Sequence, residues 1–251
     1  PSIDQTLIEY SQEQTKAQGL EAILKQVATA PFDLLTGQVF RVAVVEVEPQ
    51  HCILLWVMHH IFSDGSSMNV LLHDLSVLYQ QQLDSRSYSL PGLPVQYVDY
   101  CHWQRQLSDD GWFKPAQDYW LKTLSAVPTT LALAYDYTRP REPSFQGAMQ
   151  FATLAQECSS IIRKCAKQQG VTHFMLFLSA FALVLHRYSG QNDFLIGTPV
   201  ANRSKAELHD LVGLFVNTLL MRIKVEPNQG FNQLLAAVKA MALGAYEHQY
   251  Y

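Results

Sequence analysis

The spacing of hydrophobic positions predicts that helices and strands alternate along the whole chain. Apolar residues at intervals of three and four predict helices over residues 14–28, 95–107, 115–124, a segment ending at Gly170, 172–189 and 231–246. Period-two alternation or short continuous apolar runs predict strands over residues 39–47, 52–58, 145–154, 193–198 and 211–225. The first two strands would pair antiparallel across a turn at Pro49 and Gln50. Alternating elements of both kinds are typical of the α/β class.

One more helix is predicted to begin just after Gly65, with Ser66 or Ser67 as its N-cap. Helical spacing assigns this helix a buried apolar stripe formed by Met68, Leu71, Leu72, Leu75 and Leu78. The longest apolar stretch, residues 174–185, is too short to cross a bilayer and predicts a buried core helix.

Residues 125–144 differ from the sequence on either side, because prolines recur there with few charges and weak periodicity. This composition predicts a connector over residues 127–144, between a first lobe at 1–126 and a second at 145–251. The chain starts at Pro1 instead of a methionine and stops at Tyr251. We therefore expect a central fragment of a longer protein, with both lobes incomplete.

Composition narrows the classes of function. Hydrophobic residues make up 48% of the 251 positions, which is enough for a sizeable core. The net charge of −4 and the absence of a Lys/Arg block argue against nucleic-acid binding. No signal peptide is apparent, and the four cysteines form no C-x-x-C pair. These features predict a cytoplasmic location with reduced thiols, no membrane attachment and no zinc cage.

The segment Met58–Gly65 carries the pattern His-His-x-x-x-Asp-Gly, with two histidines at the end of a predicted buried strand. Gly65 would allow a tight turn, and a buried Asp64 would hold the loop by pairing with an arginine. His60 would then present its ring to a cleft. A histidine side chain exchanges protons near neutral pH, which suits acyl transfer to an amine or alcohol. Accepting a proton, orienting the amine and stabilising the developing charge all remain open as its role.

Two other interpretations of the motif compete with catalysis. The histidines could be ordinary turn residues, or His59, His60 and Asp64 could ligate a metal. Adjacent residues on a strand point to opposite faces, so His59 and His60 seldom bind one ion together. The pattern therefore favours acyl transfer and no metal.

Around this motif, the sequence resembles the condensation domains of nonribosomal peptide synthetases. The stretches similar to motifs of that family occur in the family's order, at residues 30–34, 97–103, 119–124, 212–222 and 248–251. They include Ala-Pro-Phe-Asp-Leu and Val-Gly-Leu-Phe-Val-Asn-Thr-Leu. The resemblance spans almost the whole chain. It departs from the common pattern Asp-Gly-Trp-Ser, because Ser66 follows Gly65 here.

The resemblance implies an α/β fold of two chloramphenicol-acetyltransferase-like lobes and an acyltransferase that forms peptide bonds. Donor and acceptor peptidyl carrier proteins would bring acyl and aminoacyl thioesters on phosphopantetheine arms, with no cofactor bound by the chain itself. Neighbouring domains such as an adenylation domain would complete an assembly line for a natural product such as an antibiotic. His60 would be catalytic, supported by His59, Asp64 and Gly65, with Arg203 as the candidate partner of Asp64.

Two alternative functions remain open. One is a related acyltransferase with the same motif that acylates the oxygen or nitrogen of a small alcohol or amine. The other is a carrier-docking module without catalysis. The segment 212–222 favours the condensation family over the first alternative. The intact His60 and Asp64 argue against the second.

Overall fold

The chain forms two compact units in its computed structural model, which describes residues 7–84, 89–138, 140–144 and 147–251. The first unit comprises Pro1–Gln106 and Ala201–Val216, and the second comprises Leu107–Val200 and Asn217–Tyr251. Residues 107–126 thus belong to the second unit, although the predicted first lobe includes them. Residues 201–216 belong to the first unit, although the predicted second lobe includes them. The lobe boundaries at residues 126 and 145 stay a prediction.

The first unit is built on a three-stranded sheet. Its elements are β1 (Leu7–Tyr10), α1 (Gln12–Gln18), α2 (Leu20–Thr29), β2 (Phe40–Glu48), β3 (His51–Met58), α3 (Gly65–Asp84) and the start of α4 (Tyr97–Asp109). Strand β2 lies between β1, which is parallel to it, and β3, which is antiparallel to it as the sequence predicts. The single helix predicted over 14–28 is instead two helices, because Gly19 interrupts it with a φ of 84°.

Period-two alternation on β2 explains how the first unit buries its sheet. Ala43 and Val45 point to the same face and are fully buried against Ile23 and Val27 of α2. A second cluster, formed by Tyr100, Leu208, Leu211 and Phe215, joins the start of α4 to residues 201–216.

The second unit contains α5 (Lys114–Thr123), α6 (Gln156–Gln169), α7 (His173–Ser189), β4 (Asp193–Val200), β5 (Asn217–Lys224) and α8 (Phe231–Glu247). Strands β4 and β5 pair antiparallel, with Val200 opposite Asn217, so the strand predicted over 211–225 is shorter than expected. The strand predicted over 145–154 is wrong for its described part, 147–154, which has no strand. Met149 and Phe151 are each 81% exposed there. Residues 145 and 146 lie outside the described residues.

The buried helix faces predicted from periodicity are also wrong in part. Leu72, Leu75 and Leu78 of α3 are exposed, whereas Ser67 is fully buried. Helix α7 buries one face and exposes Phe177 and Phe181 on another. Periodicity shows which positions are apolar but not which element covers them. Among the described residues, no single helix is long and apolar enough to cross a membrane, and α6 with α7 qualifies only as a pair bent by 104°.

Replacing Gly213 with alanine is expected to destabilise the first unit. A Cβ atom at this position would overlap the Tyr97 ring, lying 2.6 Å from Cε2 and closer still to Cδ2. The ring cannot move freely, because its hydroxyl donates to the Leu214 carbonyl at 2.9 Å and its edge packs against Phe215. Overpacking of this kind costs about 1–3 kcal/mol of unfolding free energy, which denaturant titration would measure. Gly92→Ala is the matched control, since nothing lies within 4 Å of its Cβ position.

Candidate active site

The two histidines of the motif lie in a tight turn at the end of β3. The His59 backbone N–H donates to the Val39 carbonyl at 2.8 Å, which continues the strand pairing by one residue. Its ring Nδ1 accepts from the Ile61 N–H at 3.1 Å, and its carbonyl accepts from the Phe62 N–H at 3.0 Å. His59 therefore fixes the shape of the turn that carries His60.

His60 is exposed on an open cleft of about 300 Å³. The cleft is lined by Trp56, Met58, His60, Ser63, Asp64, Gly65 and Met68. Within the described parts of the chain, no hydrogen-bond partner contacts the His60 ring. The imidazole is therefore free to bind a group that enters the cleft.

Asp64 follows His60 by four positions but is buried, with 3% of its side chain exposed. Its Oδ1 accepts from the Ser67 N–H at 2.9 Å, the Ser67 hydroxyl at 2.9 Å and Arg203 Nη2 at 3.0 Å. Its Oδ2 accepts from the Phe215 N–H at 3.0 Å. Two of these four hydrogen bonds, from Arg203 and Phe215, tie the motif to residues 201–216, and the other two hold the start of α3.

Arg203 supplies the cation opposite Asp64, so the pair expected from the resemblance is present. The Arg203 side chain is 5% exposed. Its Nη1 donates to the Leu208 carbonyl at 2.7 Å and the Leu211 carbonyl at 2.6 Å. The guanidinium also stacks on the Phe215 ring, 4.1 Å from its centroid.

Ser67 is a central residue of this network that sequence reasoning missed. It is fully buried, and its hydroxyl accepts from Arg203 Nη2 at 3.0 Å and from the Gly213 N–H at 3.1 Å. The predicted cap by Ser66 or Ser67 is wrong, because the Asp64 carboxylate accepts the Ser67 N–H at 2.9 Å and caps α3 itself. Aspartate is as favourable an N-cap as serine. The presence of Asp64 three residues before Ser67 could therefore have predicted the cap from the sequence.

Gly65 is not required for a left-handed turn. It is the first residue of α3, and its φ is not positive. No atom lies within 4 Å of the position a Cβ would take. The expectation that Gly65 is needed to allow a tight turn is therefore wrong. Its lack of a side chain instead leaves open space at the cleft.

Burial alone would raise the pKa of Asp64, but its surroundings reverse that effect. Hydrogen bonds from the backbone N–H groups of Ser67 and Phe215 and from the Ser67 hydroxyl, together with the charge of Arg203, lower this pKa below 3.8. The site therefore stabilises the ionised carboxylate.

This lowered pKa makes stability depend on pH in acid. A carboxylate with a depressed folded-state pKa stabilises the fold above its unfolded pKa, and that contribution is lost as pH falls through the folded value. As the pH is lowered beyond about 3.8, we expect the unfolding free energy to decrease. The decrease should be steeper in the parent than in Asp64→Asn. Denaturant titrations at successive pH values would measure both slopes, and equal slopes would contradict the assignment.

The metal interpretation finds no support in the described part of the chain. There, no group of three or more His, Cys, Asp and Glu side chains is placed to hold an ion. His59 Nδ1 already accepts a backbone hydrogen bond, and Asp64 already accepts four. The four cysteines are free thiols.

Comparison with known sequences gives one family. The Condensation domain family model matches residues 2–251. One of the linear gramicidin synthase proteins of Brevibacillus parabrevis is 37% identical over 243 residues, which are 97% of this chain and 5% of that protein. Phosphinothricin tripeptide synthetase PhsC of Streptomyces viridochromogenes is 37% identical over 219 residues, 87% of this chain and 20% of that protein. The chain spans a fifth or less of either relative.

Solved structures have the same fold. The X-domain in complex with OxyB from teicoplanin biosynthesis matches with a TM-score of 0.85 at 22% identity, over 98% of this chain and 54% of that one. A four-domain nonribosomal peptide synthetase bound to AMP and glycine matches with a TM-score of 0.80 at 25% identity, over 97% of this chain and 18% of that one.

Proposed function

This chain belongs to the condensation domain family, and from that premise we propose that it catalyses peptide-bond formation between two carrier-bound thioesters. Its α/β architecture of chloramphenicol-acetyltransferase-like lobes is the one implied by the family resemblance and confirmed by the structural matches. The curated relatives are peptide synthetases, so the alternative of an acyltransferase for small alcohols or amines is not favoured.

The proposed reaction needs no cofactor bound by the chain. The amine nitrogen of the acceptor aminoacyl thioester attacks the carbonyl carbon of the donor thioester. A C–N bond forms, the C–S bond breaks, and the donor arm leaves as a thiol. The proton lost by the amine balances the proton gained by the thiol, so neither an oxidant nor a reductant takes part.

His60 is the residue we assign to the amine. Its ring accepts a hydrogen bond from the attacking nitrogen, which orients the lone pair of that nitrogen towards the carbonyl carbon. The turn held by His59 and the buried pair of Asp64 and Arg203 keep the ring at the cleft. The open side of Gly65 leaves room there for a substrate arm.

The proposed partners follow from this chemistry. Donor and acceptor peptidyl carrier proteins present the two thioesters on phosphopantetheine arms, and an adenylation domain supplies the activated amino acid. The setting is a cytoplasmic assembly line that makes a peptide natural product.

One observation carries the proposal: the exposed imidazole of His60 has no hydrogen-bond partner among the described residues, yet its turn is tied to a buried carboxylate. A side chain that only supported the fold would be packed or hydrogen-bonded. This arrangement instead fixes the backbone of the turn and leaves the ring accessible to a ligand.

Reconstitution with loaded carriers tests the function. The full-length protein would be mixed with a donor carrier bearing an acyl-aminoacyl thioester and an acceptor carrier bearing an aminoacyl thioester. Intact mass spectrometry should show the acyl-aminoacyl group transferred to the acceptor and a free thiol on the donor. An acceptor with an acetylated amine is the matched control and should receive nothing.

Two results would contradict the proposal. Transfer of the acyl group to a small free alcohol or amine, with the loaded acceptor carrier unchanged, would indicate the related acyltransferase. Binding of both carriers without any product would indicate a docking module.

A further inference from the structure

Ser63 lines the same cleft as His60 but differs from it in burial. Only 6% of the residue is exposed. No hydrogen bond to its hydroxyl is formed within residues 7–84, 89–138, 140–144 and 147–251. The hydroxyl is not one of the fully buried polar atoms without a partner among the described residues, so it is accessible from the cleft and can bind a ligand there.

The other polar side chains of the cleft do not fill this role. The Asp64 carboxylate accepts four hydrogen bonds from the first unit and is neutralised by Arg203. Along with Ser63, the side chains of His60 and Trp56 have no hydrogen-bond partner in the described structure, but both are more exposed than Ser63. Among these three side chains without a partner in the described residues, Ser63 is therefore the most buried.

The position of Ser63 favours a negatively charged ligand atom. It lies two residues before the start of α3, a helix of 20 residues whose N-terminus points its free N–H groups towards this end. Helix N-termini stabilise negative charge nearby. The charge of the capping Asp64 is already matched by Arg203. The Ser63 hydroxyl and the N-terminus of α3 would thus both stabilise a negatively charged atom.

We propose that the Ser63 hydroxyl donates a hydrogen bond to the carbonyl oxygen of the donor thioester and stabilises the oxyanion of the tetrahedral intermediate. The assignment rests on the proposed function, in which His60 binds the amine. Ser63 forms and breaks no covalent bond, and its proton stays on the hydroxyl. When the intermediate collapses, the C–S electrons leave with the thiol and the oxygen becomes the amide carbonyl.

Ser63→Ala is the central test, in the full-length protein with loaded carriers. Removing one oxyanion donor is expected to lower kcat about 100- to 1,000-fold with KM unchanged. Thermal stability should not fall, because the hydroxyl has no partner in the described structure. Ser63→Thr keeps a hydroxyl and should recover most of the activity. Ser76→Ala is the matched control, since Ser76 is exposed on α3 and its hydroxyl donates to the His73 carbonyl.

A substrate analogue isolates the carbonyl oxygen. A donor carrier bearing a thioether, with CH2 in place of the carbonyl, should bind the parent and Ser63→Ala equally well. A donor carrier bearing the thioester should react more slowly with Ser63→Ala than with the parent. Weaker binding of the thioether to Ser63→Ala would show that the serine shapes the cleft and does not contact the oxygen.

Each failure is distinguishable from a failure of the proposed function. Full kcat in Ser63→Ala would overturn the oxyanion assignment while the parent still made amide. A loss of kcat together with a lower melting temperature would show a structural role and would also overturn it. Absence of amide product from the parent with both loaded carriers would instead reject the proposed function itself.

Discussion

Replacing His60 with alanine is expected to lower the rate of amide formation about 100- to 10,000-fold while the fold stays intact. The exposed ring makes no hydrogen bond within the described structure, so its removal leaves no buried group unpaired. Substitutions at such positions change stability by about 0.5 kcal/mol or less. Single-turnover assays with carrier-loaded thioesters would measure the rate, and thermal denaturation would check the fold.

The matched control for this prediction is His51→Ala. His51 is an exposed histidine at the other end of β3, away from the cleft, and its replacement should leave the rate unchanged. Wild-type turnover in His60→Ala would reject the role of the imidazole.

Replacing Arg203 with methionine is expected to cost about 3–5 kcal/mol of unfolding free energy, because it leaves the Asp64 carboxylate buried without a cation. The variant also loses the two hydrogen bonds to the Leu208 and Leu211 carbonyls and the stacking on Phe215. Amide formation should fall as well, since the turn that carries His60 loses its anchor. Denaturant titration and the carrier assay would measure the two effects.

A double-mutant cycle separates the ion pair from the other contacts of Arg203. Asp64→Asn combined with Arg203→Met should be less destabilised than the sum of the single variants, by about 0.5–3 kcal/mol. Lys114→Met is the control, because its pair with Asp118 is more than half exposed and contributes about 0.3–0.5 kcal/mol. Strict additivity at Asp64 and Arg203 would show that the two charges do not interact.

The local part of the site could be predicted from the sequence, and the distant part could not. The motif is continuous, so the strand end, the turn and the exposed His60 follow from neighbouring residues. Arg203 is 139 positions from Asp64, and only the resemblance pointed to it. Ser67 was predicted only as a possible helix cap, and its place in the buried network was missed, because a serine gives no local signal of which partners its hydroxyl will have.

The errors in the fold have a common physical origin. The alternation in residues 145–154 lacks a described strand to pair with, and a strand needs backbone partners as well as a pattern. The predicted stripe of α3 and the apolar stretch in α7 are both partly exposed, because burial depends on other elements packing against them. Gly19 breaks the first predicted helix because its positive φ does not fit a continuous α-helix.

The loop between β4 and β5 has a consequence for the order in which the chain matures during translation. Residues 201–216 supply Arg203 and the Phe215 N–H to Asp64, across 139 and 151 positions. β3 and α3 leave the ribosome long before this loop is synthesised, and contacts so distant in sequence form late. Until then, a nascent chain carries the turn of His60 with Asp64 not yet paired with Arg203, so a product that terminates before Arg203 would contain His60 without this anchor.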